Sequence, residues 1–193
     1  MSNLIQVYLG INIVKRKKSP LKHMSDLEKY IERRKIRGQF DLPVSDPDEG
    51  AIIDFLQSRS VDFGGVPPPQ NLELTQNVST PTRRVIRFRQ LQDQIPVVDS
   101  YVVAQVDKMG RAKQLDFAVT SRTNILHSDG DEKITTQEAV KYASSSLGDY
   151  MPREKIAEPE IVYYPTRSGL RLVYKVSVLT KVPAHDWRML IDA

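Results

Sequence analysis

Hydrophobic and polar positions change period several times along the 193-residue chain. Near its end, Leu170, Leu172, Tyr174, Val176 and Val178 alternate with Arg171, Val173, Lys175 and Ser177. A period of two marks a half-buried strand, with its core on the leucine side. Ile161-Val162-Tyr163-Tyr164 comes before it, and the turn formers of Pro165 to Gly169 lie between, so the two stretches are expected to form a hairpin. Trp187, Met189 and Ile191 alternate against Arg188, Leu190 and Asp192, which adds a third strand.

Earlier stretches carry other periods. Ile5, Val7 and Leu9 alternate within Leu4 to Val14 and suggest a short strand. Ser25 with Glu28 three residues on forms a capping box, and Leu27, Tyr30, Ile31 and Arg34 then keep helical spacing to Gly38, predicting a helix of about three turns. Asp41 to Glu49 has the composition of a linker. A second helix is expected after it, with Pro47 in its first turn, a stripe of Ile52, Ile53, Phe55 and Leu56, and a stop at Gly64-Gly65 before the extended Pro67-Pro68-Pro69. From Arg83 the pattern is β: Ile86 and Phe88 share a face, with arginines mostly opposite. Tyr101 to Val106 is rich in β-branched residues, a turn follows at Asp107-Lys108-Met109-Gly110, and Leu115, Phe117 and Val119 alternate after it. Thr135 and Glu138 make a further capping box, and Val140, Ala143 and Leu147 define a helical stripe that Gly148 ends.

Strands, helix and strands in this order predict an α+β fold of two small antiparallel sheets, about residues 72–120 and 132–193, each with a packed helix. A helical and basic N-terminal extension precedes them. The expected division is 1–45, 46–120 and 121–193.

Composition narrows the chemistry. At 40% hydrophobic and 27% charged residues the chain resembles ordinary globular protein, and its lack of cysteine excludes disulfides, thiolate metal sites and a cysteine nucleophile. No apolar run is long enough to span a bilayer, and the basic cluster follows the apolar N-terminal stretch rather than preceding it, so no export signal is expected. The net charge of +4 is local in origin: residues 1–40 hold ten Lys/Arg against three Asp/Glu, and residues 41–193 hold eighteen against twenty-one. Lys15, Arg16, Lys17 and Lys18 form a basic arm that either meets an acidic partner, nucleic acid or a membrane surface, or is simply solvated. No aromatic residue is interleaved there for base stacking, which disfavours nucleic acid.

Three stretches together resemble a known family. Arg84-Val85-Ile86-Arg87-Phe88-Arg89-Gln90, then Ile95-Pro96-Val97, then Val102 to Asp107 with Gly110-Arg111, are similar to the fungalysin and thermolysin propeptide motif. In that motif an R-F-x-Q strand leads through a G-x-P-V turn to a strand ending in D-x-x-G-R. Glu138-Ala139, Tyr163-Tyr164-Pro165, Leu172 to Val176 and Trp187 to Ala193 are similar to the PepSY domain that follows it. The likeness covers roughly residues 50–193 and implies a cystatin-like propeptide architecture. Gln94 stands where the family has glycine, residues 1 to about 45 match nothing in the family, and no H-E-x-x-H zinc helix is present.

The resemblance implies a non-enzymatic module that folds with and inhibits a zinc metallopeptidase, in cis or in trans, by occluding its cleft. The alternative is a structural or interaction subunit that reuses the fold and binds an acidic partner through its basic arm. Candidate partner-binding residues are Tyr163, Tyr164, His185, Trp187, Asp192 and Ala193; the aromatics are either anchors or core, and His185 is either a ligand to a partner's zinc or part of a surface turn. Asp129, Asp131 and Glu132 lack EF-hand spacing and read as a polar turn. No nucleophile elbow, phosphate loop or dinucleotide fingerprint occurs, and no catalytic residue, cofactor or metal is expected.

Overall fold

The structure, a computed structural model, describes residues 30–42, 48–63, 65–126, 134–148, 150, 152, 156–181 and 188–193, together with the backbone of 4–8, 11–15, 186 and 187. The chain divides into two compact units: Ile31–Ser121, and the remainder on either side of it.

Five antiparallel strands form the Ile31–Ser121 unit: β3 (Glu32–Asp41), β4 (Leu72–Ser79), β5 (Arg83–Gln92), β6 (Ile95–Asp107) and β7 (Arg111–Val119). They lie in the order β4-β5-β6-β7-β3. Alternation decides the faces. Ile86, Phe88, Val102, Ala104, Val106, Leu115 and Phe117 point to one side and are almost completely buried. Helix α1 (Glu49–Ser58) belongs to the same core through Ile52, Phe55 and Leu56. Asp48 caps it by accepting the Ala51 N–H at 2.8 Å. The helix stops at Ser58, well before the glycine pair expected to end it, because the chain turns to bring Phe63 into the core. Phe63 lies 5.9 Å from Phe40, 5.9 Å from Phe55 and 5.8 Å from Phe117, centroid to centroid, separations at which aromatic rings attract one another.

The second unit has β1 (Leu4–Tyr8), β2 (Ile11–Lys15), β8 (Ile125–Leu126), α2 (Thr136–Ser146), β9 (Glu160–Pro165), β10 (Leu170–Leu179) and β11 (Asp186–Asp192). Its antiparallel order is β2-β1-β11-β10-β9, and β8 runs parallel to the start of β10. Tyr174, Val176, Val178, Met189 and Ile191 pack with Ala139, Ala143 and Leu147 of α2. The α2 capping box forms: Glu138 N–H donates to Thr135 Oγ1 at 3.2 Å, and Thr135 N–H donates to Glu138 Oε2 at 2.7 Å. Ala139 rather than Val140 completes the buried stripe.

The expected fold class is corrected. In place of two small antiparallel sheets, each with a packed helix in a cystatin-like arrangement, the described residues are mostly mixed sheet, 54% strand, in which β8 adds a parallel pairing, and they include two short helices. Among the described residues the N-terminal helix is not found. Residues 25–29 lie outside the described segments, and Glu32–Asp41 is a strand paired with β7 from Glu32↔Val119 to Asp41↔Arg111. Arg34, Ile36 and Phe40 turn inward with a period of two, so cross-strand pairing and burial outweigh the modest helix preference of the local sequence. The described part of the N-terminal stretch is strand, as Leu4 to Val14 led one to expect: β1 pairs with β11 through Ile5↔Ile191 to Tyr8↔Arg188, and with β2.

Candidate functional site

The residues singled out in the sequence scatter. Tyr163 and Tyr164, adjacent in β9, point to opposite faces and are both buried, at 6% exposure each. Trp187 pairs through its backbone with Val178. Lys15 closes β2 opposite Leu4. His185, Arg16, Lys17, Lys18 and the Asp129 to Glu132 turn lie outside the described residues. Ala193 packs at the border of the α2 core. Among the described residues no group of acids and histidines is disposed to hold a metal ion, and no helix is long and apolar enough to cross a membrane.

Asp192 does gain a specific partner. Arg171 Nη1 donates to its Oδ2 at 3.0 Å, while Oδ1 is buried with no hydrogen-bond partner. Burial pushes the Asp192 carboxyl above its ordinary pKa, and the pull of Arg171 in the other direction does not offset this.

The motif residues of the first unit hold the sheet together. Gln90, at 5% exposure, accepts the Thr120 N–H at 3.0 Å and donates to the Thr120 carbonyl at 2.9 Å. Asp107 organises the β6–β7 turn: its Oδ1 accepts from the Met109 N–H at 2.8 Å and the Arg111 N–H at 3.0 Å, and its Oδ2 meets the Arg111 side chain at 2.9 Å. The Arg111 backbone bond, then its side chain and the Met109 and Lys113 contacts, hold this carboxyl at about 2. The β5–β6 hairpin turns at Asp93 and Gln94, with φ of 48° and 66°. Two positive φ values in a two-residue loop are the geometry of a type I′ turn, in which glycine fits most easily. Gln94 therefore holds a left-handed backbone that strains a non-glycine residue.

The outer face of this sheet is chemically distinctive, and no single sequence motif announces it. The unit as a whole is balanced, with twelve Lys/Arg and twelve Asp/Glu between residues 31 and 121. The face turned away from α1 nevertheless gathers cations. Arg33, Lys35 and Arg37 alternate along β3 and are exposed, and Arg87 and Arg89 alternate along β5. An open depression of about 490 Å³ is lined by Arg33, Lys35, Arg87, Tyr101, Val103 and Asp116 and also reaches Arg34 and Phe117. Arg87 covers Tyr101, with its guanidinium carbon 4.3 Å from the ring centroid. Lys35 reaches Asp116 at 3.6 Å, and Arg89 pairs with Glu73. Among the described residues Arg33 and Arg37 form no ion pair. Such a face attracts anions and gives them several donors.

No protein-family model matches this chain, and no curated protein matches it.

Proposed function

We propose that this chain is a non-catalytic binding module that associates with a thermolysin- or fungalysin-type zinc metallopeptidase and occludes its cleft. The observation that supports this reading is that Gln90 and Asp107, two defining positions of the propeptide-like motif, are both committed to backbone groups at strand ends. The motif then specifies architecture, and residues chosen for architecture carry a family likeness further than exposed ones would. A module that binds only the folded peptidase also stabilises it by mass action. The test is titration of a thermolysin-type enzyme from the same source with the full chain. Stoichiometric loss of peptidase activity supports the reading, and full activity at micromolar excess with no co-elution removes it.

A second reading, an interaction subunit for an acidic partner, is favoured by the cationic outer face of the five-stranded sheet rather than by the arm at Lys15 to Lys18. It predicts binding that weakens as salt rises, because exposed charges are screened over about 8–10 Å.

A further inference from the structure

We infer that the open edge of β3 receives an extended acidic segment of a partner protein, added as a further strand with its carboxylates beside Arg33, Lys35 and Arg37. This rests on the second reading above and not on peptidase inhibition.

Three observations converge. β3 pairs with β7 on one side, and among the described residues no strand pairs with its other side. An unpaired edge presents backbone N–H and C=O groups to which an extended peptide can bond. Arg33, Lys35 and Arg37 then stand at alternate positions on one face of that edge strand, all exposed, roughly 6.7 Å apart along it. An incoming strand repeats its side chains at the same interval, so Asp or Glu at every second position comes directly opposite the three cations. Opposed charges in adjacent strands stabilise the pairing. Charge supply completes the match: Asp116 pairs with Lys35 and accepts from Gln114, and among the described residues Arg33 and Arg37 form no ion pair.

The same features disfavour nucleic acid. Of the two aromatics lining this depression, Phe117 is buried and Tyr101 is covered by Arg87, so neither offers an open ring to a base. A nucleic acid also makes no use of an open sheet edge. Cationic edge strands also deter edge-to-edge aggregation. That role alone requires positive charge but no acceptance of an acidic strand, and the two are separable.

The test uses the full chain and fluorescent peptides of about ten residues, the length of a typical strand or slightly more. One peptide alternates Glu with Thr or Val, a second has the same composition with its acids clustered, and a third is the alternating peptide N-methylated at alternate residues to block strand addition. A single-stranded oligonucleotide of equal charge is the fourth probe. The alternating peptide is expected to bind at least about tenfold more tightly than the other three, and joint reversal of Arg33→Glu, Lys35→Glu and Arg37→Glu to weaken it by about tenfold or more. Should the reversal unfold the protein, the neutral set Arg33→Gln, Lys35→Gln and Arg37→Gln reads the same loss at smaller size. Equal binding of the N-methylated or clustered peptide, equal or tighter binding of the oligonucleotide, unaltered binding by the variants, or no peptide binding at all would overturn the inference. Peptidase inhibition is measured separately, so either idea can fail without the other.

Discussion

The carboxamide of Gln90 forms a two-point hydrogen bond with the backbone of Thr120, donating at 2.9 Å and accepting at 3.0 Å, inside a region where both residues are about 95% buried. Through this bond the end of β7 is held to β5, with which it shares no ladder.

Removing that clamp takes two hydrogen bonds away from the buried backbone of Thr120. An unsatisfied buried polar group costs about 1–3 kcal/mol, so Gln90→Ala and Gln90→Leu are each expected to destabilise the protein by roughly 2–4 kcal/mol. Gln90→Leu keeps most of the volume. A similar loss for both in chemical denaturation would assign the effect to hydrogen bonding, and a neutral Gln90→Leu would contradict it.

Asp107 and Asp192 should give stability opposite pH dependences. The Asp107 carboxyl sits at about 2 in the folded protein, below its ordinary 3.8. The unfolded chain therefore binds the proton first, and this contribution is fully present above about pH 4 and lost as pH falls toward 2. The Asp192 carboxyl is raised by burial, so its contribution is present below the ordinary carboxylate range and is lost as pH rises through the raised value. Arg171 is its ion partner, and Lys175 and Glu160, paired at 2.9 Å, lie on the same face of the neighbouring strands. Denaturant midpoints measured against pH should show less acid sensitivity in Asp107→Asn and less loss on the rising side in Asp192→Asn.

Gly169 admits no side chain. A Cβ there would fall 2.2 Å from the Asn124 carbonyl oxygen, which accepts the Leu170 N–H at 2.7 Å where β8 meets β10. Gly169→Ala must push that segment away and is expected to cost about 1–3 kcal/mol. Increased hydrogen exchange at Leu170 should accompany the loss.

Gln94→Gly should act in the other direction. At φ 66° a glutamine carries left-handed strain that glycine lacks, and relief should stabilise the hairpin by about 0.5–1 kcal/mol. A thermal midpoint unchanged or lowered by this substitution would count against a type I′ turn.

Legibility differed between elements for identifiable reasons. The β5–β6–β7 meander and the alternation of Tyr174, Val176 and Val178 were readable because strand period is a local property. The Thr135–Glu138 capping box was readable because a helix start is written in four consecutive residues. β3 was not readable. Tyr30, Ile31 and Arg34 fit helical spacing as well as a strand, and only the distant β7 decides between them. The cationic face was hidden for the same reason: Arg33, Lys35 and Arg37 belong to one face with Arg87 only after β3 has joined the sheet across β7 and β6.

The sequence by itself determined the strand periods, the turn chemistry at Asp107 and Gly110, the cap of α2, the absence of thiol chemistry and the local excess of positive charge. The tertiary structure alone decided that β3, among the described strands, lies at the edge of its sheet, that β8 lies parallel to β10, that Gln90 is a buried clamp, and that Tyr163 and Tyr164 are covered on opposite faces of β9. Periods and caps arise within a few neighbouring residues. Edge position, pairing partner and burial depend on segments far apart in the chain, whose contacts are fixed by the energy of the assembled sheet.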